Sequence, residues 1–476
     1  MFDNSSRFLA RRGVSLAAGL LTAALWTNVG LAGGSADKLV IQAGHLVPKP
    51  GEMIENGVVV VEGGRIVAIG KQGEVEVPWD APVIGGKDHW VVPGFVESYT
   101  SRGMDRPNEN LDVAPFLDVR DSIDPINVDY EDYLRWGVTT INVQQGPNCV
   151  IGARGRVIKP VGMTVEDMTV RPLYGLVLSA SPKAGKSRAT QAQTLRDAFD
   201  DLKRYLEVIV ADAKAGGDMA RREALYQGRD LEGEAAKGRA MGGSAWKVEG
   251  LELIPRGAID EKQEPLLQLI EGRYKAFIHC SAPNDVSLAL EVAKQNGFLD
   301  RTVLVLSGTC YKAAKLIADA KVPAILQGGL SYTERDPVTG DETEILLPKV
   351  YRDAGVRFAI SSANTTTASL WFQASRAIAL GLEPAQAFAA VGQTAAELLG
   401  IDQDLGTLEK GKLGNLVLLT GDPMEPTTWV DHVVIEGVHV YDRSKDTRNK
   451  YVIEGITPIG AAPLEPGAAA PTPASR

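Results

Sequence analysis

From Leu39 to Val92 the chain runs in short apolar, β-rich segments: Leu39–Ile41, Val58–Val61, Ile66–Ile69 and Trp90–Val92. Gly57, Gly63-Gly64 and Gly70 punctuate them, so the pattern predicts a small sheet domain. The same texture returns near the other end at Leu416–Leu419, Val433–Ile435 and Val438–Tyr441, around a Glu436-Gly437 turn. Two matching flanks around a different middle predict that the ends pair into one domain with the middle inserted between them.

The middle alternates strand-like runs with helical ones. Strands are predicted at Thr139–Val143, Leu176–Leu178, Ala276–His279, Val303–Leu306, Ala324–Leu326 and Arg357–Ile360. Helices are predicted at Asp285–Gln295, Tyr311–Ala320 and Leu370–Leu380. Alternation of this kind builds βα units around a parallel sheet, and the late spacing fits a (β/α)₈ barrel with its chemistry at the C-terminal strand ends. The fold expectation is therefore α/β, a (β/α)₈ TIM-like barrel inserted in a composite β-sandwich formed by the N- and C-terminal segments. Its parts are 38–92 and 403–455 for the sandwich and 93–402 for the barrel. Residues 187–250 form a helical insertion, with an amphipathic run from Leu195 to Ala213, expected to pass over the barrel mouth. Residues 456–476 are rich in Pro, Ala and Gly without periodicity and read as a disordered tail.

Composition removes several function classes. The 476 residues are 44% apolar and 23% charged, an ordinary globular balance. A formal charge of −10 has the wrong sign for gripping phosphate backbones, so no nucleic-acid partner is expected. Cys149, Cys280 and Cys310 are too few and scattered for a disulfide framework. Arg7, Arg11 and Arg12 precede an apolar stretch, Val14–Trp26, and Gly30-Leu31-Ala32 offers a cleavage site. Residues 1–32 therefore read as a signal peptide, and the protein is expected to be exported to the periplasm or beyond. The stretch is short for a membrane span, and none is expected in the mature chain.

The run Val91-Val92-Pro93-Gly94-Phe95-Val96-Glu97-Ser98-Tyr99-Thr100-Ser101 resembles the first barrel strand of the amidohydrolase superfamily, close to its imidazolonepropionase-like members. Trp136–Thr140, Val150–Lys159 and Gly406–Lys412 with Asn415–Leu419 and Gly421-Asp422-Pro423 continue the likeness over about 38–443. The resemblance implies a metal-assisted hydrolase of C–N bonds, with ligands converging on one or two divalent ions that acidify a water. The family's first strand carries His-x-His, where this sequence has Tyr99 and Ser101. The fifth-strand histidine is kept as His279, the sixth-strand histidine is replaced by Ser307, and the eighth-strand aspartate by Ala363, with Asn364 beside it. One imidazole does not make a catalytic site that needs three or more protein ligands.

Tyr99, Ser101, His279, Ser307, Ala363 and Asn364 are thus the expected pocket, with His279 the residual catalytic candidate and no metal ligands assigned. These side chains either bind a small polar molecule or fill the vacated cavity with hydrogen bonds. Glu97 is expected on the same face, deeper, in need of a partner. His45 and His89 precede the barrel and His432 and His439 follow it, so they add nothing to its mouth. Cys280 neighbours His279 on a strand and points to the opposite face, so it is no nucleophile for that base. Ala184-Gly185-Lys186-Ser187 lacks the first glycine of a phosphate loop, and Gly152-Ala153-Arg154-Gly155 lacks the third of a dinucleotide fingerprint. Arg154 and Lys159 are either pocket-rim cations or ordinary exposed ones.

The sequence reading is an exported amidohydrolase-family protein with a degenerate metal site, catalytically impaired, that binds a small polar molecule or a protein at the barrel mouth. No cofactor is expected in that case. The alternative is an active hydrolase of cyclic amides, imidazolonepropionase-like substrates or dipeptides, which would need zinc or another divalent metal.

Overall fold

A computed structural model describes residues 38–216, 248–251, 254, 256–363, 369–423, 425 and 427–449. The signal-peptide reading, the tail, residues 217–247 of the insertion and Asn364 lie outside the described residues.

β1 (Lys38–Lys49), β2 (Glu52–Glu62), β3 (Arg65–Lys71) and β4 (Val83–Pro93) precede β5 (Phe95–Thr100) and β6 (Val138–Val143). Next come β7 (Ile151–Arg154), β8 (Arg156–Ile158), β9 (Thr169–Arg171), β10 (Gly175–Ser179), β11 (Lys275–Cys280), β12 (Thr302–Leu306) and β13 (Ala324–Leu326). β14 (Ser331–Arg335), β15 (Glu342–Leu346), β16 (Phe358–Ile360), β17 (Leu416–Leu419), β18 (Val430–Ile435) and β19 (Val438–Asp442) complete the series.

Strands from both ends of the chain share one seven-stranded sheet, ordered β19-β18-β17-β4-β1-β2-β3. β17 lies antiparallel to β4, with Val417 opposite Val92, and so ties the C-terminal segment to the N-terminal one. Where the sequence suggests a sandwich, the hydrogen bonds run through this single continuous ladder.

The middle is TIM-barrel-like α/β. β10, β11, β12, β13 and β16 run parallel, and β7 pairs antiparallel with β10. β5 and β6 run parallel in a second sheet. The strands are buried on both faces, which explains their near-continuous apolar text. Alternation sorts them: Leu176, Leu178, Ile278, Leu304 and Leu306 pack with the helices. Val177, Phe277, Val303, Val305, Ile325 and Ala359 pack on the other, inner face with Ala395, Leu398 and Leu399. Two hydrogen bonds join the end of β16 to β5: Ser361 Oγ donates to Tyr99 O at 2.7 Å and Ser98 Oγ to Ile360 O at 3.4 Å.

The start of the insertion is a 28-residue helix, Arg188–Ala215, capped by Ser187. Its buried stripe, Leu195, Phe199, Leu202, Leu206 and Val210, recurs at spacings of three and four and packs into the helical layer, with Phe199 stacked on Phe298 at 5.5 Å. Gln191 Nε2 donates to Ser179 O at the end of β10, so this helix follows that strand as its βα partner. Among the described residues no helix is long and apolar enough to cross a membrane.

Candidate functional site

β5 and β11 deliver the two residues that meet. Tyr99 lies one residue before the end of β5 at 2% exposure and His279 lies on the inner face of β11 at 6%. His279 Nε2 is 2.8 Å from the Tyr99 hydroxyl, with the rings edge to face at 4.9 Å. The same hydroxyl lies 2.5 Å from the Gln145 carbonyl oxygen. A carbonyl oxygen only accepts, so the single phenolic proton goes to Gln145, and His279 donates its Nε2–H to the phenol oxygen. Burial holds the imidazole neutral by lowering its pKa to about 3, and burial lifts the Tyr99 phenol well above its ordinary value. The pair is a neutral, fully buried relay of hydrogen bonds that ends on backbone.

Ser101 is half-buried and Ser307 is exposed, while Ala363 is buried, its N–H donating to Ser361 Oγ at 2.9 Å. Ser307 donates its backbone N–H to Cys280 O at 3.0 Å, which sets the turn after β12. Of the expected pocket, the structure therefore brings Tyr99 and His279 into contact; no described hydrogen bond links Ser101, Ser307 or Ala363 to either.

Glu97 departs from simple alternation. The β5–β6 register shifts between Phe95 and Val96 and again between Glu97 and Thr100, so Val96 and Tyr99, three apart, join the same inner cluster. The Glu97 carboxylate accepts from Ser362 N at 3.0 Å, Ser362 Oγ at 2.5 Å and Tyr99 N at 3.3 Å. Burial raises its pKa, and the hydrogen bonds from Ser362 and Ser361 pull the other way. Among the described residues its partners are the Ser362 amide and hydroxyl and the Tyr99 amide, with no basic residue paired to it.

The motifs set aside in the sequence have structural work. Lys159 Nζ pairs with Glu436 at 2.8 Å, bridging the middle to the seven-stranded sheet, and Arg154 donates to the carbonyls of Phe116 and Leu117. Lys186 pairs with Asp112 at 2.9 Å. A Cβ at Gly155 would lie 2.0 Å from the Gln144 side chain, so that glycine serves close packing. Cys149 and Cys310 thiols are pushed up to about 12 by burial, and Cys280 packs on the helix side, so none is a ready nucleophile. Asp285, at the start of the helix Pro283–Gln295, accepts from Ser281 N, Ala282 N and Ser181 Oγ at 2.9–3.1 Å and pairs with Arg188. Nothing in the sequence reading singled it out, though a helix beginning with Pro and carrying Asp at its third position was visible.

A catalytic divalent ion does not fit the barrel-mouth residues. Only His279 carries a ligand group among the family positions described, and its Nε2 is spent as a donor to Tyr99. Among the described residues, groups of three or more His, Cys, Asp or Glu with converging ligand atoms lie in the seven-stranded sheet: His89, Asp431 and His432, and His432, His439 and Asp442. The sequence pattern gives these histidines no part in the barrel mouth. A cavity of ≈ 460 Å³ also lies away from the strand ends, lined by Val47, Met53, Trp90, Phe388 and Pro423.

Fold and site thus define a TIM-barrel-like α/β protein with a polar, uncharged relay where a metal site would be expected. Residues 282–440 match the model of the amidohydrolase family. The structure of an amidohydrolase from Thermotoga maritima MSB8 is similar at 20% identity and a TM-score of 0.65, over 85% of this chain and 100% of that one. An adenosine deaminase from Xanthomonas campestris with bound zinc is similar at 16% identity and a TM-score of 0.47, over 88% and 96%. Molinate hydrolase is similar at 16% identity and a TM-score of 0.46, over 91% and 99%. No curated protein matches the chain. The resemblance to amidohydrolases read from the sequence agrees with the family match over residues 282–440, and the likeness to the Thermotoga maritima structure is one of fold.

Proposed function

We propose that this chain is an exported amidohydrolase-fold protein whose barrel mouth no longer supports metal-assisted hydrolysis and instead binds a small polar molecule or another protein. The observation that carries this reading is the 2.8 Å contact between His279 Nε2 and the Tyr99 hydroxyl. Because Gln145 fixes the phenolic proton, the one retained imidazole presents a proton there and not a lone pair. Loss of imidazole and carboxylate at Tyr99, Ser101, Ser307 and Ala363 leaves too few ligands for a site that acidifies water.

The finer fold belongs to the same proposal: 38–92 and 403–455 as one composite domain, and 93–402 as a closed (β/α)₈ barrel. The shared seven-stranded sheet and the Ser361–Tyr99 and Ser98–Ile360 bonds support it. Export rests on the basic and apolar pattern of residues 1–32.

The test is hydrolysis of cyclic amides and dipeptides by the purified protein with and without added zinc, beside His279→Ala. No zinc-stimulated turnover is expected. Turnover that disappears in His279→Ala would overturn the reading in favour of a working hydrolase.

A further inference from the structure

Two strands of the seven-stranded sheet converge on a cluster outside the barrel strands. β4 supplies His89, and β18 supplies Asp431 and His432, with β17 between them. On β18 the ladder places Leu418 opposite His432 and Leu419 opposite Val430, so Asp431 is an extra residue in a bulge. A bulge re-aims its side chain, and here it adds a carboxylate to the edge of the face that already carries an imidazole. Asp431 Oδ2 lies 3.0 Å from His89 Nε2 and 3.4 Å from His432 Nε2. The three ligand atoms all fall within 4.8 Å of one another.

We propose that His89, Asp431 and His432 form a site for one divalent transition-metal ion, with zinc as the natural occupant and a water in the fourth position. Zinc bonds to imidazole nitrogen and carboxylate oxygen are about 2.0–2.2 Å, which sets neighbouring donors of a tetrahedron roughly 3.4 Å apart. The two measured edges are close to that. Two imidazoles and one carboxylate suit zinc, copper, nickel or cobalt better than calcium or magnesium, which take oxygen ligands. Asp431 meets no Lys or Arg among the described residues, so its charge faces imidazole alone.

The surroundings supply an outer layer. His432 Nδ1 lies 3.1 Å from His439 Nε2 and 4.0 Å from Asp442 Oδ1, so with Nε2 on the ion its Nδ1–H has an acceptor beside it. Asp442 is the poorer ligand: it accepts from Ser444 N at 3.0 Å and Ser444 Oγ at 2.6 Å and pairs with Lys445. That contrast selects the His89 group over the neighbouring one. An ion there ties β4 to β18 across 342 positions of chain and staples the N-terminal segment to the C-terminal one.

The experiment uses tag-free protein, stripped with chelator, titrated with zinc and analysed for bound metal after desalting. About one zinc per chain is expected, with a rise in melting temperature. His89→Gln, Asp431→Asn and His432→Gln are each expected to weaken binding beyond the roughly 10–100-fold that an outer-layer partner costs. Asp442→Asn and His279→Ala are expected to keep it. Cobalt in the unaltered protein gives a second readout that no misfolded variant can confound: intense visible bands of a four-coordinate ion are expected. Substoichiometric zinc, a pale six-coordinate cobalt spectrum, or binding that survives His89→Gln and Asp431→Asn would overturn the assignment.

Discussion

Replacing Tyr99 by Phe removes one oxygen and leaves the ring where it packs, 6.0 Å from Phe277 and 4.9 Å from His279. Two buried groups lose their partner: the Gln145 carbonyl at 2.5 Å and the His279 Nε2–H at 2.8 Å. Each orphaned buried group costs about 1–3 kcal/mol, so Tyr99→Phe is expected to destabilise by about 2–6 kcal/mol in urea unfolding followed by tryptophan fluorescence. Removing both sides of the bond is gentler than removing one. Tyr99→Phe combined with His279→Leu is therefore expected to be less destabilised than the sum of the single changes by at least about 0.5 kcal/mol. A Tyr99→Phe loss below about 1 kcal/mol, or strict additivity in the double variant, would refute the relay, because a hydroxyl facing water leaves no orphan behind.

Three further outcomes follow from the same geometry. The folded His279 ring resists protonation down to about pH 3, whereas an unfolded imidazole takes a proton near pH 6.5. Between these values the unfolded state binds more protons, so this group makes stability fall as pH falls, by about 1.4 kcal/mol per pH unit; urea midpoints of His279→Leu should lose that part of the slope. Asp285→Ala strips two backbone N–H groups and the Ser181 and Ser281 hydroxyls of their acceptor and is expected to cost about 2–4 kcal/mol, seen as early hydrogen exchange in Pro283–Gln295. Lys159→Ala breaks a partly exposed ion pair with Glu436 and is expected to cost no more than about 1 kcal/mol, read from the urea midpoint.

Much of the strand framework was legible because strands buried on both faces read as apolar runs: Thr302–Leu306 and Lys275–Cys280 differ little from their predicted limits. The exposed hairpin of β14 and β15 gave no such signal, since Ser331–Arg335 and Glu342–Leu346 are mostly polar and face solvent. Register shifts in β5 break the two-residue period, so alternation alone does not sort the residues from Val96 to Tyr99 onto faces. The Tyr99 and His279 positions were readable from the resemblance to the amidohydrolase strands, but the direction of their hydrogen bond depends on the Gln145 carbonyl, a backbone atom that no side-chain pattern announces. His89 and Asp431 lie 342 positions apart and meet through a bulge, which is invisible until the strand order is known.

The most direct measurement on the barrel mouth is metal analysis of the His432→Gln protein, in which the sheet cluster is disabled, after zinc saturation and desalting, with hydrolysis of cyclic amides and dipeptides assayed on the same sample. The account predicts no bound zinc and no turnover above that of His432→Gln combined with His279→Ala. One zinc per chain, lost together with turnover when His279 is replaced, would contradict it.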